Sequence, residues 1–212
     1  MPDRFASINR DTAETQIKLS LTLDGNGKAS IHSGIGALNH FLTLFARHGM
    51  FDLELTAHGD LDIDGHHTTE DIAICLGQAI HAALGDHRGI RRTASFAVPM
   101  DEALAHLALD LSGRSYFIMH GAFSSPSVGG LETDLVRHFF DTLSREARMN
   151  IHVVQLYGQN SHHEVEALFK AFARALDAAS QLDTRLGDAV PSTKGRIEGA
   201  ASGATSESAD KT

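Results

Sequence analysis

The chain has no tryptophan, one cysteine and four prolines. A single thiol, Cys75, excludes any disulfide within the chain and fits a reducing compartment. It sits between Ile74 and Leu76 in an apolar helical run, so it is expected to be a buried, inert thiol rather than a nucleophile. Positive charge is also scarce: 18 Lys and Arg stand against 27 Asp and Glu, a formal net charge of −9. That excludes a nonspecific nucleic-acid binder, which needs a basic footprint, but leaves room for a local basic pocket. No apolar run approaches the roughly 18 residues that span a bilayer. The segment Met1-Pro2-Asp3-Arg4-Phe5 lacks the apolar core of a signal peptide. A cytoplasmic protein that contacts neither membrane nor nucleic acid is expected.

What the chain does have is enough apolar residue, 42%, for a folded core within 212 residues, and 14 histidines. Ile17, Leu19, Leu21 and Leu23 alternate with polar residues as a half-buried strand does. Asp24-Gly25-Asn26-Gly27 is a hairpin signal, so Lys28–His32 is expected to return beside that strand. A helix over 36–49, an alternating strand over 51–57, an acidic loop and a helix over 67–84 follow. The second half reads as strands near 93–98, 103–111 and 115–120, a Ser/Gly loop at 124–130, a helix over 131–148, a strand over 151–157 and a helix over 162–180. Residues 199–212 carry no large apolar side chain and are expected to form a disordered tail after a domain spanning 1–198.

An internal repeat emerges from these elements. His40-Phe41-Leu42 matches His138-Phe139-Phe140 and Phe51–Leu55 matches Met149–Val153, both at an offset of 98; His66-His67-Thr68-Thr69-Glu70 matches His162-His163-Glu164-Val165-Glu166 at 96. Each half, about 4–90 and 91–190, runs helix, strand, loop, His-His-x-x-Glu helix. The fold class expected is α+β: two related half-domains, each a β-sheet packed on helices, about a pseudo-twofold axis.

Residues four apart share a helix face, so His66 and Glu70 can reach one point, as can His162 and Glu166. His67 and His163 are turned about 100° away and suit a different ion. With His40 and His138, the set is six imidazoles and two carboxylates, four ligands for each of two ions. An octahedral ion would keep two positions open. Nitrogen and carboxylate donors suit Mn, Fe, Zn, Co or Ni, and the lack of thiolate ligands argues against a zinc finger. Seven further histidines (His32, His58, His81, His87, His106, His120 and His152) are read as surface or core residues, and His48 is given no role. Asp60-x-Asp62-x-Asp64-Gly65 imitates a calcium loop, but the position for a bidentate Glu holds Asp71 and a strand precedes it, so a surface acidic loop is expected. Lys170, Arg91-Arg92, Arg114 and Pro191-Ser192-Thr193-Lys194-Gly195 would, if gathered, bind phosphate.

Gly65-His66-His67-Thr68-Thr69-Glu70-Asp71 and Gly158-Gln159-Asn160-Ser161-His162-His163-Glu164-Val165-Glu166-Ala167-Leu168-Phe169-Lys170 resemble the two signatures of the imidazoleglycerol-phosphate dehydratase family. Ser33–Gly36, Ala46–Gly49, Pro99–Leu104, Ser112–Arg114 and Pro191–Gly195 are also similar, and the resemblance spans about residues 4–198. The chain departs from the family's Asp-His-Met at Asn39-His40-Phe41, and Arg92-Thr93-Ala94 replaces Arg-aromatic-Gly. The form fused to a phosphatase is not expected.

The resemblance implies a lyase of histidine biosynthesis that dehydrates D-erythro-imidazoleglycerol phosphate to imidazoleacetol phosphate through an imidazolate held by two manganese ions per active site. It implies metal ligation by His40, His66, His67, Glu70, His138, His162, His163 and Glu166. Substrate contacts carry over to Glu14, Arg92, Arg114, Lys170, Ser192 and Lys194, with Thr193 in the same turn. A homo-oligomeric shell of twenty-four subunits, with active sites between them, is implied as well. For the base that removes the C–H proton, Glu14 is the first candidate, Asp101 the second and a metal-bound hydroxide the third. The rival readings are a binuclear metal hydrolase acting on a phosphorylated small molecule, and a noncatalytic metal-storing shell.

Overall fold

The computed structural model describes residues 4–199. The tail expected over 199–212 lies, from residue 200 onward, outside the described residues. The first half contains β1 (Phe5–Asp11), β2 (Thr15–Thr22), β3 (Ala29–His32), α1 (Gly36–Gly49), β4 (Asp52–Gly59) and α2 (His66–Leu84). The second contains β5 (Thr93–Met100), β6 (Ala103–Asp110), β7 (Tyr116–His120), a two-strand ribbon β8–β9 (Ser127–Val128, Leu131–Glu132), α3 (Thr133–Glu146), β10 (Asn150–Tyr157) and α4 (Ser161–Ser180).

The sheet orders are β1-β2-β4-β3 and β5-β6-β10-β7, so the halves share one topology. In each, an antiparallel hairpin pairs with a central strand, and that strand pairs in parallel with the strand preceding the first helix. The hairpins superpose in register: Phe5 pairs with Thr22 as Thr93 pairs with Asp110, an offset of 88 on both strands. Glu14 and Glu102 therefore occupy the same place at the two hairpin tips. The expected architecture of two related α+β halves is what the chain adopts.

Alternation explains the layers. Along β2, Ile17, Leu19 and Leu21 are buried while Gln16 and Lys18 are exposed. Helix α1 packs against α4 of the other half, and α3 against α2. One continuous apolar cluster results, with Phe41, Phe45, Phe139, Phe140, Phe169 and Phe172 fully buried where the helices meet. Because each helix pair spans the halves, ligands far apart in sequence are brought onto facing surfaces.

Two expectations need correction. The segment after Asp24-Gly25-Asn26-Gly27 does not return beside β2; β4 lies between β2 and β3. The reason is local: Asp52 at the start of β4 accepts hydrogen bonds from the backbone N–H groups of Asn26 and Lys28 at 2.8 and 2.9 Å. The turn is thereby tied to β4 rather than closed on β2. Strand β1 leaves no alternating signature in the sequence, since only Ala6 and Ile8 supply its inward apolar face. Cys75 is fully buried and burial pushes its thiol up to about 12, in keeping with an inert role.

Candidate metal centre and anion cradle

The four helix segments that carry the motif histidines converge in two clusters. His40 of α1 meets His162 and Glu166 of α4, with candidate ligand atoms all within 4.8 Å of one another. His66 and Glu70 of α2 meet His138 of α3 in the same way. Each cluster thus takes a histidine and a carboxylate four residues apart on one helix and a second histidine from the opposite half. His40 and His162 stack at 5.2 Å between centroids, and His66 and His138 at 4.9 Å. Imidazoles packed face to face beside a carboxylate are a donor set for a cation. The buried Nε2 of His138, 3.1 Å from Glu70 Oε1, makes no hydrogen bond of normal geometry among the described residues, as an atom kept for a metal would. The residues present fit Mn²⁺ and similar divalent ions.

The helix starts are built for this. Neither α1 nor α2 has a side chain capping its first turn in the usual way, but Asp64 Oδ1 accepts the His66 N–H at 2.7 Å and Asn160 Oδ1 accepts the His162 N–H at 2.9 Å. These contacts fix the backbone where each His-His pair begins. Asn39, which replaces the family's aspartate, turns its Oδ1 to the N–H and hydroxyl of Ser33.

His67 and His163 point away from the clusters, their rings at 85° to those of His66 and His162. His67 donates from Nδ1 to Asp60 Oδ2 at 2.9 Å, with Glu14 Oε2 at 3.8 Å. His163 donates from Nδ1 to Glu102 Oε2 at 2.6 Å, and its Nε2 lies 3.7 Å from Asp101 Oδ2. The hydrogen bonds donated to Asp60 and Glu102 raise both imidazole pKa values, and His163 holds the Glu102 carboxyl down to about 2. Pinning Nδ1 to a carboxylate leaves Nε2 as the free donor atom, the arrangement common in metal-ligating histidines. The acidic loop at Asp60–Asp64 therefore serves α2 and His67, a role that its resemblance to a calcium loop concealed.

Lys170 lies 2.6 Å from Glu166 Oε1 and approaches Met100. Burial opposes ionisation of Glu166, but the hydrogen bonds from Lys170 and His40 outweigh it and hold the carboxyl below its usual value. Lys170 thus belongs with the first cluster and not with the other cations. Arg92, Arg114, Ser192, Thr193 and Lys194 do gather, lining a cavity of about 630 Å³ with Ser112, Pro191, Arg196, Ile197 and Glu198. Arg92 is held bidentate by Asp110 at 2.7 and 3.0 Å and donates to the Pro191 carbonyl at 2.8 Å. Lys194 reaches Glu198 at 3.3 Å, while Arg114 has no ion pair among the described residues. Arg91 stays outside this cavity.

The cradle and the clusters are at opposite ends of β5. Arg92 precedes the strand and the Asp101–Glu102 tip follows it, roughly 25 Å away for eight extended residues. Glu14 and Asp101 both stand at hairpin tips, each near an outward histidine. The sequence marks Asp60 only as part of an acidic loop and gives Glu102 no role. Glu102 becomes visible only once β1 is recognised and the two hairpins are aligned.

These features define an internally duplicated α+β protein with paired histidine–carboxylate clusters where its halves meet and a basic cradle at a distance from them. A sequence profile of the imidazoleglycerol-phosphate dehydratase family matches residues 33–176. The imidazoleglycerol-phosphate dehydratase of Chloroflexus aurantiacus is 57% identical over 192 residues, covering 91% of this chain and 94% of its own. That of Geobacillus kaustophilus is 55% identical over 194 residues, covering 92% and 99%. The crystal structure of the Staphylococcus aureus enzyme matches with a TM-score of 0.77 at 37% identity, covering 84% of this chain and 99% of that one. The chain belongs to the imidazoleglycerol-phosphate dehydratase family.

Proposed function

We propose that this protein is a metal-dependent hydro-lyase of histidine biosynthesis, converting D-erythro-imidazoleglycerol phosphate to imidazoleacetol phosphate and water. Family membership supports the substrate. The observation that carries the mechanism is the meeting of His40 with His162 and Glu166, and of His66 and Glu70 with His138, beside two outward histidines whose Nδ1 atoms are already engaged.

One ion would be held by His40, His162 and Glu166, the other by His66, Glu70 and His138, with His67 and His163 each completing a cluster of a neighbouring copy. Two Mn²⁺ ions, when bound, supply Lewis acidity at the imidazole ring nitrogens. Arg92, Arg114, Ser192, Thr193 and Lys194 bind the phosphate through charge-assisted hydrogen bonds. The three-carbon chain between ring and phosphate is far too short to link the two ends of β5 within one copy. Ring and phosphate are therefore held by different copies, which makes the active site a product of assembly. A homo-oligomer, in the twenty-four-subunit form that the family resemblance implies, satisfies that demand.

The hydroxyl leaves from the carbon attached to the ring, the neighbouring C–H gives up its proton to the Glu14 carboxylate, and the departing hydroxide takes up one proton to become water, so that Glu14 is returned to its carboxylate when it releases its own. The product of that proton loss is an enol, which becomes the ketone. Lys170 holds Glu166 as a carboxylate within the first cluster. No described helix is long and apolar enough to cross a membrane; a cytoplasmic setting belongs to the same reading. The test is to assay purified protein with imidazoleglycerol phosphate and Mn²⁺, following absorbance of the enolised ketone and release of inorganic phosphate. Ketone without phosphate is expected. Phosphate release would point to the hydrolase instead, and full turnover after metal stripping would sink the metal reading.

A further inference from the structure

The repeat is not symmetric where its histidines are oriented. Glu14 and Glu102 are counterparts by hairpin register, as are His67 and His163 by motif. In the second half Glu102 accepts from His163 Nδ1 at 2.6 Å, and its other oxygen accepts the backbone N–H groups of Gln159 and Asn160 at 3.2 and 2.9 Å. Both of its oxygens are thus engaged at the start of α4. In the first half Asp60 takes the equivalent proton of His67 at 2.9 Å. Glu14 stands back at 3.8 Å, and its carboxylate accepts no hydrogen bond among the described residues.

The sequence between strand and helix explains the difference. Gly59 and Gly158 are counterparts: a Cβ on either would strike the side chain of the next equivalent pair, Thr68 at 2.0 Å and Glu164 at 2.4 Å. Asp64 and Asn160 are also counterparts, each accepting the N–H of the first histidine of its motif. Five steps separate Gly59 from Asp64 and two separate Gly158 from Asn160, so the first loop is longer by three residues. That added length provides Asp60. The shorter loop offers only Gln159, which has no carboxylate, and buried Glu164 is occupied by the N–H and hydroxyl of Ser124.

We propose that the two halves have divided the task of the hairpin-tip glutamate: Glu102 is a positioning residue that orients metal-ligating His163, whereas Asp60 orients His67 and so releases Glu14 to face the substrate. This rests on the functional reading above. One consequence is that the two repeat-related tips are not interchangeable acid–base groups, and only one of them touches the reacting carbon chain. Asp101, the counterpart of Ala13, is not needed as a base.

The experiment compares Glu102→Gln, Asp60→Asn and Glu14→Gln in the assembled protein. Mn²⁺ affinity is measured by competition with a chelator, kcat and KM at saturating Mn²⁺, and folding by circular dichroism. Glu102→Gln and Asp60→Asn are expected to weaken Mn²⁺ binding about 10–100-fold, the usual effect of removing a ligand's orienting partner, with kcat recovering to within about tenfold once metal saturates. Glu14→Gln is expected to bind Mn²⁺ as the wild type does while losing kcat about 10²–10⁴-fold. If Glu102→Gln keeps wild-type Mn²⁺ affinity, or loses kcat at saturating metal as Glu14→Gln does, the division is wrong. A wild-type protein that neither binds Mn²⁺ nor forms ketone overturns the functional reading, and the division with it.

Discussion

His40 Nε2 lies 3.2 Å from Glu166 Oε2, although 126 positions of chain separate them. Neither half can build this contact alone, since α1 supplies one side and α4 the other. Glu166 is only 7% exposed and pairs with Lys170 as well, so it is the charge that ties the first cluster together. Glu166→Gln is expected to lower Mn²⁺ content from two ions per chain to about one and to reduce turnover by at least about 10²-fold. It also leaves the Lys170 ammonium, mostly enclosed, without its charged partner, so a lower melting temperature accompanies the loss. Metal analysis of purified protein and a ketone assay check both effects. Glu70→Gln is expected to do the same at the second cluster, with a smaller stability loss because its carboxylate is more exposed.

Much of this centre could be read in the sequence because helical spacing is a local rule. His66 with Glu70, and His162 with Glu166, share a face whatever the rest of the chain does. The repeat then implied that His40 and His138 were related positions. What the sequence could not show was the exchange: each upstream histidine joins the cluster of the opposite half, a consequence of α1 packing on α4 and α3 on α2. The Asp24–Gly27 turn misled for the converse reason. Turn chemistry fixes a local bend, but the Asp52 side chain decided which strand the bend would join. Charge alone groups Lys170 with the other cations, and only the fold shows that β5 separates them.

The basic cavity makes a prediction that does not depend on the metals. Among the described residues Arg114 has no ion pair, and Lys194, 65% exposed, has only its exposed pair with Glu198, so both can turn to an incoming anion, whereas Arg92 is already fixed by Asp110 and Pro191. Arg114→Ala and Lys194→Ala are each expected to raise KM about 10–100-fold through loss of a charged hydrogen bond, with a smaller change in kcat and no change in Mn²⁺ content. Arg92→Ala should add a loss of thermal stability, because Asp110 and the Pro191 carbonyl lose their donor. Steady-state kinetics beside thermal melting separate the two kinds of effect. An unchanged KM in both Arg114→Ala and Lys194→Ala would remove the cavity from substrate binding.

A last prediction concerns a histidine outside the site. His87 is 1% exposed, and neither of its buried ring nitrogens makes a hydrogen bond of normal geometry among the described residues. Burial, with His81 alongside, pushes its pKa down to about 4. The unfolded chain, with an ordinary value near 6.5, binds a proton there at higher pH than the folded chain does. Folded stability from this group is therefore intact above about pH 6.5, falls as the pH drops toward 4, and levels off below that. The full loss is on the order of 3 kcal/mol. His87→Asn removes the titration and suits the left-handed backbone at this position, where φ is 62°. The expected outcome is a variant less stable at neutral pH but with a flatter melting-temperature profile between pH 6.5 and 4. Wild-type and variant profiles of equal slope would show that His87 is not charged by acid in the unfolded chain alone.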